Sequence, residues 1–124
     1  MADEKTPDFR EFAKGLGAVI DIPAGQTLFR ENDPPRHVYF VLSGSVEILV
    51  RDKVIETIRE GQIVGLLSFV DELPRSITAR AAEACELALL DKKQFRYMVE
   101  AIPNFVWFVL RELSARLRAA NAAL

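Results

Sequence analysis

One cysteine, Cys85, and one histidine, His37, are all that this chain of 124 residues offers of the side chains most used for disulfides, zinc and nucleophilic catalysis. That scarcity excludes a disulfide framework, a zinc cluster, a Cys/His catalytic pair with a spare partner and a His-rich metal barrel. Long apolar runs are missing too. No stretch approaches the roughly 20 residues needed to span a bilayer, and the start Met1-Ala2-Asp3-Glu4-Lys5-Thr6-Pro7 has no apolar signal region. The expectation is a cytoplasmic protein with no membrane contact and a reduced, structural Cys85. A surplus of either charge is lacking as well: 16 Lys and Arg against 18 Asp and Glu give a net charge of -2. Composition therefore makes no case for nucleic acid or an anionic membrane as partner, and any anion site must be local.

What is present is the make-up of a folded domain, with 50% hydrophobic and 27% charged residues. The length suits one domain with one core, too short for a sensor plus a separate effector. Residues 1–6 are polar and are expected to fray, leaving a single domain over 7–124. Thr6, Pro7 and Asp8 read as a cap, a first-position proline and an early acid, opening a helix over 7–17 that carries Phe9 and Phe12 and stops at Gly15 and Gly17.

From 18 to 91 the period is two. Ile20 and Ile22 lead to the turn Pro23-Ala24-Gly25, then Leu28-Phe29 to the turn Asn32-Asp33-Pro34-Pro35. Val38, Phe40 and Leu42 alternate with Tyr39 and Val41 as far as Ser43-Gly44-Ser45, where Val46, Ile48 and Val50 resume, a pattern that predicts a hairpin. Further strands are expected at 54–59, at 62–64, at Ser76 to Ala81 and at Cys85 to Leu90. About eight short strands with frequent turns make the fold mainly β with flanking helices, a small barrel or jelly roll.

The period returns to 3.6 at Asp91, which forms a capping box with Gln94 and opens a helix over 92–101 carrying Phe95, Met98 and Val99. Pro103 ends it near Ala101 and is expected to start a last helix over 103–124. Phe105 to Leu110 is apolar all round, and beyond it a seam remains: Val106, Leu110, Leu113, Leu117, Ala120, Leu124. Spacings of four and three face a partner helix, so a homodimer is expected there; a helix lying along its own β-domain is the alternative. Trp107 belongs to that packing. Arg111, Arg116 and Arg118, with Glu112 among them, read as a solvated basic face.

Residues 65–79, Gly65-Leu66-Leu67-Ser68-Phe69-Val70-Asp71-Glu72-Leu73-Pro74-Arg75-Ser76-Ile77-Thr78-Ala79, carry the candidate site. A glycine after a strand, a one-turn helix, and a guanidinium and hydroxyl delivered from the next strand outline a phosphate cradle. A surface turn with a solvated arginine would give the same letters.

Residues 20 to 122 resemble the cyclic-nucleotide-binding domain family, the β-roll of catabolite-activator and FNR-type bacterial regulators, protein kinase A regulatory subunits and nucleotide-gated channels. The resemblance lies in Pro23-Ala24-Gly25-Gln26-Thr27-Leu28-Phe29, Val38 through Val46, Gly61-Gln62-Ile63-Val64-Gly65, Pro74-Arg75-Ser76 and the helix Arg111 to Arg118. It implies a double-stranded β-helix with ligand contacts at Gly65, Leu66, Leu67, Ser68, Arg75, Ser76 and Ile77, and a dimer through Val106, Leu110, Leu113, Leu117 and Leu124. Asn32 stands where the family tends to have glycine, and it tolerates positive φ. Two departures weigh on cAMP or cGMP as ligand. Leu66 replaces the glutamate that accepts from the ribose 2'-hydroxyl, and Ile77 replaces the alanine beside the phosphate. An unpaired hydroxyl costs about 1–3 kcal/mol and crowding about as much again. Arg75 is then expected to pair with Glu72 or Asp71, or to hold a different anion.

The resemblance therefore implies a stand-alone regulatory module sensing a cyclic nucleotide or another anionic small molecule through Arg75. The alternative is a ligand-free dimerisation or protein-interaction module whose pocket Leu66 and Ile77 close, with a protein partner as yet unknown. No catalytic residues, metal or other cofactor are expected, since the cassette has no nucleophile and base pair. Bacterial relatives place a DNA-reading helix-turn-helix after the long helix, and with Leu124 as last residue direct DNA binding is not expected.

Overall fold

The computed structural model describes residues 8–124, so Thr6, Pro7 and the expected frayed segment lie outside the described residues. Eight strands form two antiparallel sheets of four: β1 (Ala18–Ile22), β2 (Thr27–Phe29), β3 (Val38–Ser43), β4 (Val46–Val50), β5 (Lys53–Ile58), β6 (Ile63–Val64), β7 (Thr78–Ala81) and β8 (Cys85–Leu90). One sheet runs β1-β8-β3-β6 and the other β2-β7-β4-β5. The sheets face each other without closing into one hydrogen-bonded barrel. Four helices accompany them: α1 (Arg10–Leu16), α2 (Leu66–Asp71), α3 (Lys92–Ala101) and α4 (Phe105–Ala122).

The expected hairpin at Ser43-Gly44-Ser45 is not formed. β3 and β4 lie in different sheets, and the chain crosses between them at Gly44. Gly44 has φ +89, and a Cβ there would come within 2.5 Å of the Ala84 carbonyl, so the crossing needs glycine on both counts. β4 pairs instead with β5 through Arg51 and Asp52, at φ 51 and 66, the left-handed pair that a tight two-residue hairpin requires.

β3 is buried on both faces, which explains its nearly unbroken apolar run. Val41 packs inside the roll with Val46, Ile48, Ile58, Ala79 and Leu87. Val38, Phe40 and Leu42 face the other way, onto the helices. There Phe40, Phe105, Phe108 and Phe9 form one aromatic cluster, with Phe9 and Phe105 centroids 5.0 Å apart edge to face. This cluster fixes α4 on the sheet, and at about 25 cal/mol per Å² of apolar area it is a major part of the core.

Helix boundaries follow local chemistry. Asp8 Oδ1 accepts from the Arg10 amide at 3.0 Å. Gln94 N donates to Asp91 Oδ1 at 2.9 Å and Asp91 N to Gln94 Oε1 at 2.8 Å, the expected capping box. Ile102, before Pro103, is extended at φ -104 and ψ 117, and α3 ends at Ala101 as expected. Pro103 does not start α4: Asn104, at φ 68, turns the chain and the helix begins at Phe105. Likewise β7 begins at Thr78, two residues after the expected Ser76.

The apolar start of α4 is only half covered. Phe105, Phe108 and Val109 are buried, whereas Val106, Trp107 and Leu110 are exposed. Of the expected seam, Leu117 and Leu124 are also exposed, while Leu113 packs on the roll.

Candidate functional site

β6 ends at Val64, and the chain then turns at Gly65, φ +85, into α2. Glu72, also left-handed at φ 62, ends that helix, and Leu73 to Ile77 return to β7. The return is pinned by two backbone bonds. Arg75 N donates to the Asp33 carbonyl at 2.9 Å, and Asn32 N donates to the Arg75 carbonyl at 2.7 Å. Asn32 takes the left-handed φ of 76 that its side chain tolerates.

Arg75 is turned inward and is 2% exposed. Its Nη1 donates to the Gly65 carbonyl at 2.6 Å and to Ser68 Oγ at 3.1 Å, and its Nη2 donates to the His37 carbonyl. The guanidinium carbon lies 4.1 Å from the centre of the Phe29 ring. Nε is buried without a hydrogen-bond partner. Among the described residues Arg75 forms no ion pair; the expected pairing with Glu72 or Asp71 is not made. Glu72 holds Lys92 at 2.6 Å instead, and Asp71 Oδ1 accepts from the Leu73 amide. Facing neutral carbonyls, the guanidinium is pulled down from its usual pKa by burial, with Tyr39 and Asp33 opposing that shift.

Beside this arginine lies a half-open cavity of about 100 Å³. Gly65, Leu66, Leu67 and Ser68 of the cassette form one wall, with Ser76 and Ile77; Ile48, Ile55, Glu56 and Ile58 form the sheet wall; Arg116 and Ala120 of α4 close the far side. The cassette residues expected from sequence thus meet at one cavity, except Arg75, which lies one hydrogen bond behind Gly65 and Ser68. Leu66 is 1% exposed and contributes to the core, and half-buried Ile77 packs on the roll interior.

Arg116 overturns its reading as part of a solvated face. Its Nη2 sits 2.8 Å from Glu56 Oε2 and its Nη1 3.2 Å from Glu112 Oε1. Glu112 also accepts from the Ile63 amide at 2.9 Å, which ties α4 to β6 immediately before the cassette. Burial pushes the Glu112 carboxyl above its ordinary pKa, against the Ile63 bond and Arg116. A sequence signal existed: Glu112 continues the face of Phe105, Phe108 and Val109 at helical spacing, with an arginine four residues on.

The lone cysteine and histidine have structural places. Cys85 Sγ donates to the Ser45 and Glu83 carbonyls, both at 3.1 Å, and burial raises its thiol pKa. His37 serves Arg75 through its backbone carbonyl.

The cyclic nucleotide-binding domain profile matches residues 19–101. The chain belongs to the cyclic nucleotide-binding domain family. It is 26% identical over 105 residues to the cAMP-activated global transcriptional regulator CRP of Salmonella typhimurium, covering 80% of this chain and 50% of that protein. The chain therefore spans about half the length of the curated relatives it matches. Among solved structures, the half-site-occupied form of the EAL enzyme Bd1971 is 32% identical, covers 85% of this chain and 98% of that one, and superposes with a TM-score of 0.64. The c-di-GMP-responsive regulator CLP of Xanthomonas campestris shares the fold at TM-score 0.76 with 23% identity, over 91% of this chain and 59% of that one. As a cyclic nucleotide-binding domain, the chain is a regulatory module of the type found in CRP-like proteins, and its match to Bd1971 is to a domain of the same kind. Among the described residues no helix is long and apolar enough to cross a membrane.

Proposed function

We propose that this domain senses a small anion at the cassette and reports its arrival through α4. The observation that carries this reading is Arg75, a buried guanidinium with an unpartnered Nε and only neutral acceptors. A buried cation without a counter-charge is costly, so an anion that replaces a carbonyl as its partner gains more than it would at a solvated arginine. The cavity joins the cassette to Arg116 and Ala120, so a ligand there touches α4 directly. Cyclic nucleotides are the first anions to test, because the similar CRP is cAMP-activated and the similar Bd1971 has cAMP- and cGMP-bound forms. A homodimer through exposed Val106, Trp107, Leu110 and Leu117 completes the proposal.

The test is calorimetry and thermal melting with cAMP, cGMP and c-di-GMP, together with a mass measurement in solution. A ligand at a hundred times its Kd adds about 2.7 kcal/mol to stability. The L66E/I77A double variant is expected to bind cyclic nucleotides more tightly than the parent. Melting that ignores every anion in both proteins would instead support the ligand-free interaction module.

A further inference from the structure

We infer that the cavity selects an organic anion with a compact apolar body, an aromatic or branched aliphatic carboxylate or phosphate monoester, over a nucleotide. The inference rests on the anion-sensing reading and names the ligand class for the same site. The body of the cavity is aliphatic: Ile48, Ile55, Ile58, Leu66 and Ile77. Its hydroxyls, Ser68 and Ser76, belong to the cassette and hence to the anion end. At the far end Arg116 is already shared by Glu56 and Glu112, so no free cation waits there for a second polar group.

Size and polarity then point the same way. About 100 Å³ is below the roughly 150 Å³ of an apolar cavity known to take benzene, and the open side lets one ring or branched chain project outward. A sugar would set its hydroxyls against isoleucine and leucine side chains that accept no hydrogen bond, and each would be desolvated without return. An apolar ring loses nothing by the same burial. Arg75 lies behind Gly65 and Ser68 rather than in the cavity wall, so the anionic head reaches it by displacing its bonds to those two residues.

Benzoate and phenyl phosphate are the probes, with benzyl alcohol as the uncharged match and cAMP as the nucleotide. They are titrated into the protein carrying labelled isoleucine methyls. Ring-current shifts are expected at Ile48, Ile55, Ile58 and Ile77, with Ile20, Ile22 and Ile102 unmoved. Benzoate is expected to bind roughly tenfold more tightly than benzyl alcohol, the order of one charge-assisted contact. In Arg75→Gln that preference disappears while benzyl alcohol still binds; the parent titrations decide the matter even if this variant does not fold. cAMP moving the same methyls at lower concentration than benzoate would overturn the apolar-body inference and leave anion sensing intact. Benzyl alcohol binding with every anion silent would overturn anion sensing itself, and shifts scattered over all isoleucines would overturn the cavity as the site.

Discussion

Arg75 Nη1 lies 2.6 Å from the Gly65 carbonyl, and a Cβ on Gly65 would lie 2.6 Å from that same nitrogen. The glycine before the cassette helix is therefore set by the arginine as much as by its own backbone angle.

Gly65→Ala is accordingly expected to lose stability on two counts. A side chain at φ +85 costs about 1–2 kcal/mol, and displacing Arg75 weakens hydrogen bonds worth about 1 kcal/mol each. Urea unfolding should show a total loss of about 2 kcal/mol or more. A loss below half of that would mean that Arg75 moves aside freely.

Arg116→Met tests the ionic clasp between β5 and α4. Removing the guanidinium leaves Glu112 buried without its cation, and breaking a buried pair costs about 3–5 kcal/mol. Adding Glu112→Gln should recover much of that loss, because the amide oxygen still accepts from Ile63 and no charge is stranded. Equal losses in the single and double variants would refute the pairing.

The pH dependence follows from the same carboxyl. Burial raises the Glu112 pKa in the folded state above the ordinary 4.5, so the native protein binds its proton more tightly than the unfolded chain. Stability contributed by this group therefore falls as pH rises through the window that begins near 4.5, and it is recovered on acidification. Glu112→Gln removes the effect. The stability difference, parent minus variant, should decline with rising pH across that window, and a flat or rising difference would contradict the assignment.

Cys85 should resist thiol reagents in the native state. Its Sγ is buried, and that burial raises its pKa and keeps both reagent and thiolate scarce. Labelling by a disulfide reagent is expected to proceed at the rate of opening or unfolding and to accelerate with urea. Prompt labelling in buffer would show that the segment around Ser45 opens locally.

Much of the fold was legible because it is written in local chemistry. Asp91 and Gln94 cap a helix through their own side chains, Pro103 makes Ile102 extended, and Asn32 admits a left-handed turn. The cassette was equally local, from Gly65 to Ile77. What could not be read depends on residues far apart in the chain. The alternation on either side of Gly44 suits a hairpin as well as a crossing, and the close approach of Ala84 decides between them. The inward turn of Arg75 depends on the His37 carbonyl and the Phe29 ring, and Arg116 left the solvent because Glu56 lies opposite on β5. Hydrogen-bond partners 38 or 60 residues apart leave no periodic trace.

The bond from the Ile63 amide to Glu112 carries one more consequence. β6 is the edge strand of its sheet, and an open edge amide is a template on which a second chain can add. Glu112 occupies it. That edge is therefore closed by a side chain of α4 rather than by a further strand, so α4 in its place on the sheet also protects the domain against strand addition at Ile63.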